Sequence, residues 1–268
     1  MESTLDRFQL KEKVAIITGA ARDLGFDAAC ALAEAGASVV ITSRVLDKAE
    51  QAAKKIADRF GTEAIGLELD HTDWQKVQQV VNQTLEWKNR IDILINNAGG
   101  GSGMGECNLF KRDPKAIAAL IESNLIGPIL MCKAVGEIMI RQKSGKIINI
   151  ASIAAMVGRD RDMYHRNNKN EQPIDYAAAK GGVISMTRDL AALMAPFGVC
   201  VNAISPGGFD KGELPKAFVQ DYSQETMLGR MGKLDQDLNG IILFLASPAS
   251  DYVTAQNIIV DGGFTFSK

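Results

Sequence analysis

"VAIITGAARDLG", residues 14 to 25, runs from an unbroken apolar stretch into a turn bracketed by Gly19 and Gly25. An unbroken Val/Ile run suits a strand buried on both faces of a parallel sheet, because a strand with one wet face alternates apolar and polar residues. The turn then leads into a helix-forming segment, and a helix N-terminus at such a junction offers free N–H groups and a positive dipole end to a pyrophosphate. The same kind of run recurs at "SVVIT" (38 to 42), "AIGLEL" (64 to 69), "IDILI" (91 to 95), "KIINI" (146 to 150), "VCVNAI" (199 to 204) and "NIIV" (257 to 260). Segments of helical length, such as 45 to 60 and 73 to 88, lie between most of them. Alternating strand and helix predict an α/β chain with a doubly wound parallel sheet of about seven strands and helices on both faces.

With 268 residues, 46% of them apolar, the chain has enough material for one large domain spanning residues 1 to 268. A formal net charge of −2 supplies no positive field for nucleic acid or an anionic bilayer. The four cysteines, Cys30, Cys107, Cys132 and Cys200, lie far apart among apolar or small residues, so buried reduced thiols are expected. The first residues, "MESTLDRFQLKEK", contain acids and no apolar run, which predicts neither a secretion signal nor a membrane anchor and a cytoplasmic location. Internal repeats and low-complexity tracts are lacking. Two long connections interrupt the rhythm, 153 to 175 and 207 to 233, and long connections beyond strand ends in such sheets usually form or cover the ligand site. Both are expected to be substrate-site loops, the first too polar for a strand and dense in turn formers.

The second strand ends "ITSR", so Ser43 stands where a Rossmann-like dinucleotide fold ordinarily carries an acid for the ribose 2′-hydroxyl, with Arg44 next to it. Without that acid a 2′-phosphate meets no repulsion, and Arg22 and Arg44 both offer it positive charge. NADP(H) is therefore favoured, with NAD(H) the alternative; a competing reading makes both arginines ordinary solvated surface residues. In "YAAAK", 176 to 180, residues four apart share a helix face, so the Tyr176 hydroxyl and Lys180 ammonium can reach one site. A free phenol with a pKa of about 10 is a poor base near neutrality, but a fixed ammonium favours the phenolate.

From "TGAARDLG" through "NNAG" (96 to 99), "SNLIG" (123 to 127), "NIAS" (149 to 152), "YAAAK", "SPGG" (205 to 208) and the final "VDGGF", the chain resembles a classical short-chain dehydrogenase/reductase over nearly its whole length. The resemblance implies catalytic roles for four residues. Tyr176 would exchange a proton with the substrate oxygen, Ser152 would hydrogen-bond that oxygen, Lys180 would hold the nicotinamide ribose and lower the tyrosine pKa, and Asn124 would keep a relay water in line. It also implies cofactor contacts at Gly19, Arg22, Asp23, Leu24 and Gly25 in the turn, at Ser43 and Arg44, and at Asp70 beside adenine. Asn97, Ala98 and Gly99 would pass beside the adenine ribose, with Pro206, Gly207 and Phe209 at the nicotinamide. The Thr usual a few residues past "PGG" is absent, and Asp210 and Lys211 stand there instead. Structural readings compete at several positions: turn geometry at Asn96, Asn97 and Gly99, and helix capping at Asp70 or in the "HTD" (71 to 73) that follows it. "GGGSGMG" (99 to 105) lacks the Gly-Lys-Ser/Thr ending of a phosphate loop and reads as a flexible loop. His71 and His165 stand alone, so no metal site is expected.

Asp23 occupies the place of the middle glycine of the family's turn. Asp is among the few residues that sometimes accept glycine's backbone angles, and the expectation is that its carboxylate turns outward, capping the helix or pairing with Arg22. The stretch between Ser152 and Tyr176 is longer than the family's usual spacing and carries Arg159, Arg161, His165, Arg166 and Lys169 beside Asp160 and Asp162. Placed over the active site it favours a small polar or anionic substrate, such as a sugar acid, polyol or keto acid. Its alternative is a solvated loop making oligomer contacts. The loop and the tail "VDGGFTFSK" also resemble those of sugar-type dehydrogenases. An NADP(H)-dependent oxidoreductase acting on a secondary alcohol or ketone is the leading expectation. A 3-oxoacyl reductase and a catalytically silent nucleotide-binding relative are the rivals. Family analogy adds a homo-oligomer, tetramer or dimer.

Overall fold

The computed structural model describes residues 3 to 101 and 105 to 266. Its strands are β1 (Val14–Ile17), β2 (Ser38–Ser43), β3 (Ala64–Glu68), β4 (Ile93–Asn96), β5 (Gly145–Ile150), β6 (Val199–Pro206), β7 (Phe209–Asp210), β8 (Gly232–Lys233) and β9 (Asn257–Val260). Seven of them form one parallel sheet in the order β3-β2-β1-β4-β5-β6-β9, and β7 pairs with β8 alone. All seven apolar runs picked out in the sequence are strands of the large sheet.

The helices are α1 (Asp23–Glu34), α2 (Leu46–Phe60), α3 (Trp74–Lys88), α4 (Pro114–Ile121), α5 (Gly127–Gln142), α6 (Arg161–Arg166), α7 (Ile174–Met194), α8 (Lys216–Gln224) and α9 (Asn239–Ala246). Strand residues alternate between two cores. Ala15, Ile17, Val39, Ile41, Ile93 and Ile95 pack against α1, α2 and α9. Ile16, Val40, Leu94 and Ile147 pack against α3, α5 and α7. The continuous Val/Ile runs are thus explained by burial on both faces. The winding direction reverses between β1 and β4, which lie side by side, and a crevice opens beyond the carboxyl ends of strands at such a switch.

Local signals place the helix ends. Asp73 caps α3, its Oδ1 accepting from the N–H groups of Gln75 (2.8 Å) and Lys76 (3.3 Å), and Gly61 stops α2 in a left-handed conformation. Helices α4 and α5 run into each other through a π turn over Glu122–Ile126, where the Gly127 N–H donates to the Glu122 carbonyl. By length and composition the combined helix Pro114–Gln142 is apolar enough to cross a membrane. Leu120, Met131, Cys132, Val135 and Met139 along it are buried within the protein, as in a core helix.

Three expectations need amendment. The connection 153 to 175 holds a helix, α6, capped by the Asp160 carboxylate (3.2 Å to the Met163 N–H). It forms because Met163 and Tyr164 bury themselves with Phe218, Tyr222, Met231 and Phe264, a cluster assembled from both long connections and the segment after β9. Connection 207 to 233 likewise contains α8 as well as β7 and β8. Cys30, Cys107 and Cys132 are buried free thiols, but Cys200 is only half-buried, near the start of β6, with its sulfur 3.6 Å from Lys146 Nζ.

Helix α2 lies directly on β3 at Gly66, where an added Cβ would come within 2.3 Å of the Glu50 nitrogen and 2.4 Å of the Ala49 carbonyl carbon. Backbone cannot swing aside as a side chain can. Gly66→Ala is expected to lose about 1–3 kcal/mol of stability through overpacking, read from the urea unfolding midpoint; an unchanged midpoint would show that α2 floats on the sheet.

Candidate functional site

The floor of the switch-point crevice is built by hydrogen bonds between the ends of β1 and β4. Thr18 Oγ1 accepts from the N–H groups of Asn97 and Ala98, both at 3.0 Å. Asn97 Nδ2 returns the contact, donating to the carbonyls of Thr18 (3.0 Å) and Gly19 (3.1 Å). The packing leaves no room for side chains: a Cβ on Gly19 (φ +62°) would fall 2.9 Å from Ala98 Cα, and one on Gly25 would fall 2.4 Å from Asn97 Nδ2. Around the rim, Arg22 and Arg44 are exposed and Ser43 is half-buried. Asp70 is exposed and turns onto Thr72, accepting from its N–H (3.0 Å) and hydroxyl (2.7 Å), which holds the carboxyl below the usual carboxylate range. It does not cap α3; Asp73 in "HTD" does. Leu24 packs partly buried against the core, and the Phe209 ring is buried against Gly232, so neither side chain belongs to the rim.

Deeper in, Tyr176 and Lys180 sit on one face of α7, both buried. Lys180 Nζ donates to the Ile150 carbonyl at the end of β5 (2.7 Å) and lies 5.8 Å from the centre of the Tyr176 ring. Burial pushes the Lys180 ammonium down to about 8. Burial also pushes the Tyr176 phenol above its ordinary value, against the pull of a hydrogen bond with Ser152 and of the Arg159 charge. In the protein by itself burial is the largest influence on the phenol, and the Lys180 ammonium is aimed at the Ile150 carbonyl. Ser152 follows β5 and accepts from the Ala154 N–H (3.1 Å).

Asn124 lies in the π turn, fully buried, with Oδ1 accepting from the Gly100 N–H (2.8 Å) and Nδ2 donating to the Gly100 carbonyl (3.1 Å). A π turn inside an α-helix frequently marks a functional position. Gly99 to Gly101 run across Asn124, Lys180 and Tyr176. A Cβ on Gly99 would fall 2.6 Å from Asn124 Oδ1 and 3.8 Å from Lys180 Nζ, and one on Gly101 2.7 Å from the Tyr176 ring. Reading "GGGSGMG" as a flexible loop missed this packing; residues 102 to 104 lie outside the described residues. The available signal was three successive glycines directly after "NNA"; at Gly99 and Gly101 close approach rather than mobility requires the missing side chain.

Pro206 ends β6, the Gly207 N–H donates to the Val260 carbonyl (2.9 Å), and the Gly208 N–H donates to the Tyr222 hydroxyl (2.6 Å). Beside Tyr176 lies a cavity of about 360 Å³ lined by residues that include Ala154, Met156, Arg159, Arg161 and Gln172. Among the described residues no group of three or more His, Cys, Asp or Glu side chains is placed to hold a metal ion; His71 Nε2 instead contacts the Ser123 carbonyl at 2.7 Å.

The family described as Enoyl-(Acyl carrier protein) reductase matches residues 19–265. A 3-oxoacyl-[acyl-carrier-protein] reductase of Synechocystis is 36% identical over 255 residues, covering 95% of this chain and 97% of the relative. A cyclohexanol dehydrogenase of Rhodococcus is 36% identical over 281 residues, covering 98% and 99%. The chain belongs to the short-chain dehydrogenase/reductase family. A solved family member, a gluconate 5-dehydrogenase from Burkholderia cenocepacia in complex with NADP and tartrate, superposes with a TM-score of 0.88 at 34% identity, covering 98% of this chain and 99% of that one. Enzymes of this short-chain family act on alcohol and ketone groups, and their fold binds a nicotinamide cofactor.

Within the family pattern two departures answer each other. Asp23, in the middle-glycine position, adopts glycine's left-handed backbone (φ +53°). Its Oδ2 accepts from Lys211 Nζ at 2.6 Å, with Arg22 Nε at 3.7 Å. Outward pairing with Arg22 is found, but the shorter contact is to Lys211, and Asp23 makes no cap: Arg22 is the N-cap of α1 and its side chain makes no capping hydrogen bond. Lys211 is one of the two residues standing where the family carries its Thr.

Removing Lys211 leaves the Asp23 charge with only the longer contact to the exposed Arg22 in a turn suited to a pyrophosphate. Two unit charges about 6 Å apart repel by roughly 3 kcal/mol at an effective dielectric near 20 and by under about 1 kcal/mol in water. Lys211→Met is expected to raise the NADPH dissociation constant about tenfold, Asp23→Gly to change it by less, and the double variant to restore it. Equal weakening in the single and double variants would disprove the compensation. For Lys180, the folded pKa of about 8 lies below the ordinary 10.5, so between these values the unfolded chain binds the extra proton and this group makes stability rise with pH. Lys180→Met is expected to gain on the order of 3 kcal/mol below pH 8, with the gain shrinking as pH rises towards 10.5, as followed by urea unfolding. A gain independent of pH would refute the assignment.

Proposed function

We propose that the protein is an NADP(H)-dependent oxidoreductase interconverting a secondary alcohol and a ketone on a small polar substrate such as a sugar acid, polyol or keto acid. The observation that carries this reading is the convergence of Tyr176, Lys180, Ser152 and Asn124 beside the crevice between β1 and β4. The crevice fits a dinucleotide: its floor is glycine backbone so closely packed that a Cβ at Gly19 or Gly25 would strike Ala98 or Asn97. The N-terminus of α1, with Gly19, Arg22, Asp23, Leu24 and Gly25 around it, would hold the pyrophosphate. Ser43, Arg44 and Arg22 would take the 2′-phosphate, Asp70 the adenine, and Asn97, Ala98 and Gly99 the adenine ribose. Lys180 would hold the nicotinamide ribose, and the backbone at Pro206, Gly207 and Phe209 would flank the nicotinamide. The bound dinucleotide supplies or takes up a hydride at the nicotinamide C4.

The remaining chemistry belongs to the chain. Tyr176 is a neutral phenol when burial dominates, which equips its Oη to give a proton to the oxygen of a ketone being reduced. Ser152, hydrogen-bonded with Tyr176, holds the same substrate oxygen. The Lys180 ammonium stabilises the phenolate left behind, and Asn124, fixed by the π turn, lines up the water that returns the proton. The connection 153 to 175 lines the substrate side of the site, a cavity of about 360 Å³ suited to a small molecule, and the connection 207 to 233 packs against it through Phe218 and Tyr222. The Burkholderia relative holding NADP and tartrate supports both the cofactor and a small polar acid. The Synechocystis relative supports a second reading, a 3-oxoacyl reductase. Retention of both Tyr176 and Lys180 argues against a silent nucleotide-binding relative. The reading places the enzyme in the cytoplasm as a homo-oligomer, tetramer or dimer. Exposed Ile126 and Ile129 on the α4–α5 helix and Leu193 near the end of α7 supply apolar surface for such contacts.

The test follows nicotinamide absorbance with NADPH and NADH against keto sugars, keto acids and acyl ketones. Turnover with NADPH above NADH is expected, and Tyr176→Phe should lower kcat by about 10²–10⁴ while still being stabilised by NADPH in thermal melts. Parent protein that neither turns over any ketone nor is stabilised by either cofactor would overturn the proposal.

A further inference from the structure

The connection 153 to 175 carries five basic side chains, of which Arg159 and Arg161 line the substrate cavity, and four of the five are engaged by carboxylates or an aromatic ring of the protein itself. Arg161 pairs with Glu171, whose other oxygen lies 2.5 Å from His165 Nε2. Arg166 pairs with Asp221 at 2.8 Å and with Asp160 at 3.8 Å. Lys169 Nζ lies 4.9 Å over the centre of the Phe218 ring. The charge of the segment therefore largely organises α6 against α8 rather than facing a ligand.

Arg159 differs. Its Nη1 donates to the Tyr164 hydroxyl at 2.8 Å, and among the described residues no carboxylate pairs with it. The guanidinium is half-buried and lines the cavity that Tyr176 also lines. Its charge acts on both Tyr176 and Tyr222, which places it between the reacting end of α7 and the α8 side of the site. With Nη1 turned to Tyr164, Nη2 and Nε present the parallel pair of donors that matches the two oxygens of a carboxylate.

We infer that Arg159 is a specificity-determining residue that binds a carboxylate carried by the substrate, a keto acid or sugar acid, near the ketone that Tyr176 protonates. The inference rests on the proposed alcohol/ketone chemistry and narrows its substrate class. A neutral polyol would leave this cation in a sheltered cavity without a counter-charge. A 3-oxoacyl thioester carries no carboxylate close to its ketone, so the same residue disfavours it.

The experiment uses the full-length protein with NADPH and short-chain keto acids, each paired with its neutral primary amide. The parent enzyme is expected to prefer the acids in kcat/KM by about tenfold or more, the worth of one charge-assisted pair. Arg159→Gln should lower kcat/KM for the acids about tenfold to a hundredfold, mainly through KM, and leave the amides nearly unchanged, which also reports that the variant is folded. Arg159→Lys should retain part of the preference. Equal turnover of acid and amide by the parent enzyme, or an equal loss for both in Arg159→Gln, overturns the inference while leaving the ketone chemistry standing. Failure of the parent enzyme on every ketone would bring down the proposed function itself and this inference with it.

Discussion

The hydroxyl of Thr18 accepts the main-chain N–H groups of two consecutive residues, Asn97 and Ala98, from the neighbouring strand. This contact fixes the end of β1 to the end of β4 at the place where the sheet reverses its winding. From one side of it the chain departs into the glycine turn and α1. From the other it departs into Gly99 to Gly101, which lie across Asn124, Lys180 and Tyr176. The crevice and the reacting side chains are thus two outlets of one junction, and small residues around it follow from how closely the two backbones approach.

Charge distribution explains much of what is unusual around that junction. An ammonium is held in the interior at Lys180, donating to the Ile150 carbonyl, at a cost in stability that a protein selected only to fold would avoid. Asp23 reverses the sign of an electropositive turn, and a lysine from the far end of the chain cancels it. Arg112 and Asp175 form another buried pair (2.8 Å) immediately before Tyr176, tying the start of α7 to the segment that leads into α4. Such pairs contribute little net stability but fix geometry, since separating either partner strands a charge in the interior.

The sheet and the reacting pair were legible in the sequence for a simple reason. A strand buried on both faces needs a continuous apolar run, and a tyrosine and lysine four apart must share a helix face. Features built from distant parts of the chain were not legible. Helix α6 sits in a polar stretch and owes its existence to Met163 and Tyr164 meeting Phe218 and Tyr222, which no local periodicity announces. The partner of Asp23 lies 188 residues away. The glycines after "NNA" look mobile by composition and are packed by context. The upward direction at Tyr176, set first by desolvation, depends on burial in three dimensions rather than on spacing.

The π turn that carries Asn124 sets an unusual limit on variation. A regular α-helix advances about 100° per residue, and the Gly127 N–H here reaches back five residues to Glu122 instead of four. Restoring regular pitch by deleting one residue would rotate everything on one side of the turn away from its present facing, swinging either Asn124 off Gly100 or the α5 stripe off the sheet. The surface of this helix is free to drift by substitution, but its residue count between Leu120 and Met131 is fixed: an insertion or deletion there is far more damaging than any exchange of exposed side chains.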